Sequence, residues 1–436
     1  MQFMAYHDDV TNLPNERFFM EELKKKLSAN QSQKAIMAIE LDRFASIKST
    51  LGNAYADQML NRVAQRLQKV LPEGQLLCIS RESYFIVLID QVKDPEHLMQ
   101  LGQRLQGEML EPFHIQHLSL NGILNIGISL YSSSELTGEE LFMHAKYAMH
   151  ESSKIPARIE FYELSMSQLM TDRLILENDL HKALEQEELF LEYQPQIDLE
   201  TGEIIGVEAL VRWQHPEKGA IPPGQFIPIA EESGLIIPIG KWVLETACAQ
   251  VKKWEQAGLP PLKLAVNLSL GQLFQQDLVG MVQDVLSKTA LRPDHLQLEI
   301  TESMTINMDQ MNTVINDLKD LGITIAVDDF GTGYSSLSYL NDFSLDCLKI
   351  DKSLVQKIET NSTDEVLVAM IISMAKHLRL HVVAEGIEEK AQVDYLVASK
   401  CEVVQGYLFS KPIRSKFFCE TYKDIQLHAR QILGQQ

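Results

Sequence analysis

The five cysteines are scattered, and no CxxC pair occurs among them. Neither a disulfide framework nor a zinc ribbon is supported, so thiols in apolar runs read as packing residues. HExxH, GxxxxGK[ST] and GxSxG are also missing, which sets aside zinc-protease, P-loop and serine-hydrolase chemistry. No apolar run approaches the roughly 18 residues a membrane-crossing helix needs. The opening MQFMAYHDD lacks the basic start and apolar stretch of a secretion signal. The expectation is a cytoplasmic chain. Basic charge is the scarcest commodity: 39 Lys and Arg face 60 Asp and Glu, for a net charge of −21. Residues 1–162 hold 16 basic and 20 acidic side chains, net −4, and residues 163–436 hold 23 and 40, net −17. Such a surface repels duplex nucleic acid, whose binding depends on neutralising phosphates. A phosphate ligand of the second part would need a few placed cations or bound metal.

What is present is ordinary globular sequence, 45% apolar and 23% charged. At about 150 residues per domain, 436 residues suggest two or three domains, and two if one is a barrel of about 250 residues. In residues 1–162, strand patterns at 35–41, 76–79, 84–89, 112–118, 122–130 and 158–162 alternate with helical patterns at 54–71, 96–109 and 138–150. This order predicts an α+β sandwich with one sheet. Residues 163–187 lack Gly and Pro and carry periodic Leu and Met (Leu169, Leu174, Leu176, Leu180, Leu184), which predicts a helical joint. Beyond it, eight apolar runs at 189–195, 204–210, 263–267, 296–300, 323–329, 346–350, 380–385 and 402–406 mostly alternate with helices. That repetition predicts a TIM-like (β/α)8 barrel.

Seven of the eight runs carry, at or near their ends, a polar group that a buried strand would not choose: Glu208, Asn267, Glu299, Asp328 with Asp329, Lys349, Glu385 and Gln405. In a barrel these strand ends meet at one mouth. A solvated terminus explains any one of them, but a run of seven points to a site. Converging carboxylates repel unless cations lie among them, and an oxygen-only donor set selects Mg²⁺ or Mn²⁺ over zinc. Two such ions about 3.5–4 Å apart form a clamp for in-line phosphodiester hydrolysis, and adjacent Asp328 and Asp329 suit it because one carboxylate can bridge. Ca²⁺, larger and less strict in its coordination, is expected to inhibit. Lys349 and Arg212 are the cations beside the ring, and simple salt bridges to the carboxylates are their plain alternative. The glycines of FGTGYSSL at 330–337 suggest a mobile loop at the mouth.

The motifs EALVRW at 208–213, VNLS at 266–269, EITES at 299–303, VDDFGTGYSSL at 327–337, LKID at 348–351, AEGIE at 384–388 and QGYLFSKP at 405–412 resemble the EAL-domain phosphodiesterases of bacterial cyclic di-GMP signalling. The resemblance covers about residues 168–425, within an expected phosphodiesterase domain of residues 168–436. It implies Glu208, Asn267, Glu299 and Asp328 as metal ligands, with Asp329 at a second metal. Glu385 is implied as ligand or base beside the attacking water, Lys349 beside the nucleophile, and Gln405 near both. Glu302 would hold the loop after Asp329. Gln194, Leu210 and Arg212 would touch substrate, as would Asn267, Asp328 and Lys349. The implied reaction opens cyclic di-GMP to linear 5′-pGpG, and the implied barrel has one antiparallel strand.

Residues 1–162 resemble a GGDEF domain, through HDDVTNLPNERFF at 7–19, ELDRFASIKSTLGNAYADQ at 40–58 and AKYAMHESSK at 145–154. The family's signature turn is replaced by Arg81, Glu82, Ser83, Tyr84 and Phe85, so the glycine pair and the acidic pair are both lost. Glu40 stands at a metal-binding Asp position and Lys48 at a guanine-contacting Asn. The upstream Arg-x-x-Asp product site falls on PEGQ at 72–75 and is missing. The expectation is a regulatory, non-cyclase domain acting through the joint, within a homodimer and behind an upstream, membrane-anchored sensor. A non-hydrolysing cyclic di-GMP receptor or scaffold is the rival reading.

Overall fold

The computed structural model describes residues 6–29, 33–116, 118–131, 136–275, 277–302, 308–331, 343–358 and 362–435. The chain divides into two compact units, Met1–Leu174 and Ile175–Gln436. The helical joint expected over 163–187 is a helix, Leu164–Ala183.

In the first unit, β1 (Lys34–Leu41) is apolar on both faces because both are covered. Met37 and Ile39 pack with helices Asn53–Val70 and Pro95–Glu108. Ile36 and Ala38 pack with helices Glu16–Ala29 and Gly138–Ser152. The sheet follows from this central strand. β2 (Leu76–Ile79) and β3 (Phe85–Asp90) lie to one side, β6 (Leu124–Leu130) and β7 (Ile159–Phe161) to the other, in the order β2-β3-β1-β6-β7. The run expected as one strand at 112–118 is instead two. The chain turns at Gln116, in the left-handed region with φ 52°, and β4 (Phe113–Ile115) pairs back on β5 (Leu118–Leu120) as a separate ribbon.

The second unit closes a barrel. β8 (Leu189–Asp198), β9 (Ile204–His215), β11 (Lys263–Asn267), β12 (Leu296–Thr301), β13 (Thr324–Phe330), β14 (Cys347–Ile350), β15 (His381–Ala384) and β16 (Val403–Val404) form the eight staves. β8 runs antiparallel to both neighbours, β9 and β16, while the others are mutually parallel. Two short additions, β10 (Gly219–Ile221) and β17 (Ile413–Arg414), pair with β9 and β8. Outward side chains such as Val207, Trp213, Val266, Leu298 and Leu348 join one large core. Among the described residues no helix is long and apolar enough to cross a membrane. Four of the cysteines, Cys78, Cys248, Cys347 and Cys401, are buried packing residues, and Cys419 is exposed.

Gly127 on β6 marks a close approach of helix Gly138–Ser152 to the sheet. A Cβ there would lie 2.0 Å from the Met149 backbone nitrogen and 2.2 Å from the Ala145 carbonyl oxygen. Neither backbone atom can swing aside as a side-chain tip can. Gly127→Ala is expected to destabilise the first unit by about 1–3 kcal/mol, the usual cost of overpacking. Chemical denaturation followed by circular dichroism checks this, and an unshifted midpoint would show that the helix can lift without cost.

Candidate active site at the barrel mouth

Side-chain alternation decides what enters the barrel. Ala326, Cys347, Val383 and Val403 form a small buried cluster separate from the main core. Two residues further along the same strands, and so on the same face, come Asp328, Lys349, Glu385 and Gln405. The sequence pattern of polar strand ends is thus a single layer resting on an apolar one.

Lys349 stands at its centre, fully buried. Its Nζ lies 2.7 Å from Glu299 Oε2, 2.7 Å from Glu385 Oε1, 3.2 Å from Asp328 Oδ2 and 3.4 Å from Glu208 Oε2. Burial disfavours its charge, but the four carboxylates outweigh that and hold it well above the usual lysine range. Glu208 Oε1 accepts from Asn267 Nδ2 at 2.7 Å, and its Oε2 accepts from Gln405 Nε2 at 2.6 Å. Burial pushes the Glu208 carboxyl up, yet Lys349 and the two amides prevail and leave it below its ordinary value. Glu299 goes the other way. Burial, with Glu208, Asp328 and Glu385 around it, raises it well above the carboxylate range against the pull of Lys349. Burial likewise lifts Glu385 to about 8, despite Lys349. Burial and the charges of Asp328 and Asp351 lift Asp329 to about 6.

These residues fit divalent metal. Oxygens of Glu208, Glu299 and Asp328 lie within 4.8 Å of one another, as do those of Asp328, Asp329 and Glu385, so Asp328 is common to both groups. Glu299 Oε1 is buried with no hydrogen-bond partner, a costly arrangement that a cation would relieve. Adjacent residues on a regular strand face opposite ways. Here the pairing slips between Val327 and Phe330, and Asp329 takes a left-handed φ of 54°, which brings both aspartates to one side. The cluster is a buried acidic site able to coordinate a divalent ion.

The other expected residues fall around it. Glu302 Oε2 accepts from the Gly331 backbone N–H at 2.9 Å, at the start of the expected loop, whose residues 332–337 lie outside the described residues. Ser303, in the EITES motif, lies outside them too. Gln194, opposite Glu208 on β8, donates to the Ser410 carbonyl at 3.3 Å. Leu210, Arg212 and Asn267 line a cavity of about 280 Å³ beside the cluster, with Ile227, Ile239 and Val243 among its apolar walls. Arg212 Nε donates to Glu192 Oε2 at 2.8 Å, a bridge outside the ring, whereas Lys349 makes the bridges to the ring carboxylates that the plain alternative names. The sequence reading missed Gln196, buried two residues beyond Gln194 and bonded to Gln405. Its signal was a second glutamine at period 2 from Gln194, on the face of β8 that also carries Glu192, while Leu189, Leu191, Tyr193 and Ile197 turn to the core.

The first unit's signature turn closes on itself. Ser80 Oγ accepts from the backbone N–H groups of Glu82 and Tyr84 at 3.1 and 3.3 Å, and Ser83 carries the left-handed φ of 68°. Tyr84 is buried beneath Lys146, whose Nζ lies 5.0 Å from the ring centre and 3.1 Å from Glu82 Oε2. Glu40 is exposed on β1.

Because metal binds carboxylates rather than carboxylic acids, loading the metal-free protein should release protons near neutral pH. With Glu385 at about 8 and Asp329 at about 6, Mn²⁺ affinity should rise from pH 6 to above 8 and then level off. Calorimetry in buffers of different ionisation enthalpy counts the protons, and an affinity flat across that range would contradict the assignment.

Two family models match: the EAL domain over residues 177–412 and the diguanylate cyclase GGDEF domain over residues 5–156. The signalling protein YkoW of Bacillus subtilis is 37% identical over 421 residues, covering 95% of this chain and 52% of YkoW. The bifunctional diguanylate cyclase/cyclic di-GMP phosphodiesterase MucR of Pseudomonas aeruginosa is 35% identical over 415 residues, covering 94% of this chain and 60% of MucR. The chain therefore spans about half to three-fifths of the length of these relatives. A solved structure described as the PaMucR phosphodiesterase in complex with c-di-GMP matches with a TM-score of 0.54 and 42% identity, covering 56% of this chain and 98% of that one. Motifs, closed barrel and acidic mouth agree with these matches, and the chain belongs to the EAL-domain family as a tandem GGDEF–EAL protein.

Proposed function

We propose that this chain hydrolyses cyclic di-GMP to linear 5′-pGpG in its EAL domain, using two divalent ions, Mg²⁺ or Mn²⁺, and that its GGDEF domain is a regulator without cyclase activity. The observation that carries this reading is the buried set of four carboxylates around Lys349, with Asp328 common to two metal-ligand groups and Glu299 Oε1 unpartnered. The activity named for MucR, and the ligand named for the PaMucR phosphodiesterase structure, support cyclic di-GMP as the substrate.

Glu208, Asn267, Glu299, Asp328 and Asp329 would hold the ions. Bound there, they would neutralise the phosphate and make an attacking water more acidic. The residues supply the rest. Lys349 offsets part of the carboxylate charge and offers a cation to the phosphate as charge builds on it. Glu385, held at Oε1 by Lys349 and Gln405, takes the proton of the attacking water. Arg212, Leu210 and Gln194 frame the dinucleotide at the rim. In-line attack on phosphorus then breaks the bond to the 3′ oxygen and leaves a 5′ phosphate.

The reading extends to regulation: the joint helix Leu164–Ala183 would carry control from the GGDEF domain to the barrel, within a homodimer that an upstream sensor drives. A barrel fragment, residues 168–436, that matches the whole chain in rate and in self-association would remove that role.

Incubating the purified chain with cyclic di-GMP and Mg²⁺ or Mn²⁺, with chromatographic separation of products, tests the catalytic reading. Linear 5′-pGpG should form, chelator should stop it, and excess Ca²⁺ should inhibit. Asp328→Asn should abolish turnover by removing the shared ligand's charge. Glu385→Gln should keep dinucleotide binding while lowering kcat by about 10²–10⁴, the range for losing a general base. Tight binding with no turnover under either metal would make the domain a receptor instead.

A separate assay addresses the first unit. Ser83 and Tyr84 supply no acid pair, and the backbone N–H groups of Glu82 and Tyr84 are already committed to Ser80 Oγ, so GTP should yield no cyclic di-GMP. Formation of that product, lost in Glu40→Gln, would reverse the assignment.

A further inference from the structure

We infer that Gln196 is a positioning residue that fixes which end of the Gln405 side-chain amide faces the acidic cluster. Gln405 meets Glu208 Oε2 at 2.6 Å and Glu385 Oε1 at 3.0 Å, both through Nε2. An amide turned by 180° would instead set Oε1 against the two carboxylates, replacing two donated bonds with oxygen–oxygen repulsion. Its two ends are nearly equal in size, so packing alone cannot choose between them. Gln196 makes the choice. Its Nε2 donates to Gln405 Oε1 at 3.1 Å, which commits that oxygen away from the cluster and leaves Nε2 for the carboxylates.

Three features make this a built arrangement. Gln196 and Gln405 are both buried, 3% and 4% exposed, so water does not compete for the bond. β8 is antiparallel to β16 with Val403 opposite Asp198 and Val404 opposite Ile197, and one further step in that register sets Gln405 opposite Gln196. On the other flank Gln196 faces Gly206 on β9. A Cβ at Gly206 would lie 2.9 Å from Gln196 Oε1 and 2.8 Å from the Lys263 carbonyl oxygen, so glycine leaves the room that the amide occupies. Outer groups that orient the groups around a metal commonly carry about 10–100-fold in affinity or activity.

The kinetic arm of the test rests on the hydrolysis proposed above, and the binding arm does not. Gln196→Met keeps size and removes the donor. Gln196→Lys restores a donor toward Gln405 Oε1. Gln196→Glu offers an acceptor and should draw Gln405 Nε2 away from the cluster. Relative to wild type, kcat should fall about 10–100-fold in the Met variant, recover in Lys, and fall further in Glu. KM for cyclic di-GMP should hold steady, since Gln196 lies below the rim. Calorimetric titration with Mn²⁺ alone should give weaker binding in the Met variant and recovery in Lys. Matched unfolding midpoints confirm folded samples, and the Lys–Glu contrast decides the matter if the Met variant does not fold. Equal kcat and Mn²⁺ affinity across the series, or a Lys variant as impaired as Met, would overturn the inference. An inactive wild type would instead refute the hydrolysis reading, leaving the Mn²⁺ titration to judge Gln196.

Discussion

One ammonium group holds the site together. Four carboxylates from four strands of one barrel would repel each other in a medium poor in water, and closing the barrel forces them together. Lys349, reaching up from β14 between them, makes that closure tolerable. Its charge does not balance theirs, and the remainder appears as an upward push on the carboxyls of Glu299 and Glu385 and as an unpartnered oxygen. The site is therefore incomplete by construction: its residual negative charge is what gives it affinity for divalent ions. That also reconciles the proposed phosphate substrate with the strong negative charge of the barrel half.

Around this centre the barrel supplies order through period 2. An apolar layer of Ala326, Cys347, Val383 and Val403 sets the height of the residues above it. The reversed strand β8 places Gln194 beside Glu208 and Gln196 beside Gln405. At β13 the period is broken deliberately, so that two consecutive aspartates share a face.

The features legible in the sequence share a cause. Strand termini that end in Glu, Asp, Asn, Lys or Gln interrupt apolar runs, and an interruption repeated along the chain is visible without coordinates. Both domains, the eight staves and the acidic ring followed from it. What stayed hidden was set by backbone geometry or by neighbours distant in sequence. Gln116 turns the chain in a left-handed conformation with no Gly, Pro or Asn to announce it, so two strands read as one. The bulge at Asp329 has no side-chain signature. Lys349 could be named as a cation near the ring, but its contact with all four carboxylates exists only once the barrel closes. Gln196 was passed over because a buried glutamine beside Gln194 has no evident role until its partner, 209 residues later, is known.

The circular order of the strands has a consequence for biosynthesis. β8 is the first stave made, yet it closes the barrel against β16, one of the last, and Gln405 completes the ring only when that strand docks. While the chain emerges from the ribosome, Glu208, Glu299 and Asp328 exist as solvated acids on separate, unclosed strands, with no shared enclosure to concentrate their charge. The enclosure is complete only when β16 pairs with β8. A chain cut short between β15 and β16 would carry most of the site residues but lack Gln405 and the pairing that closes the barrel.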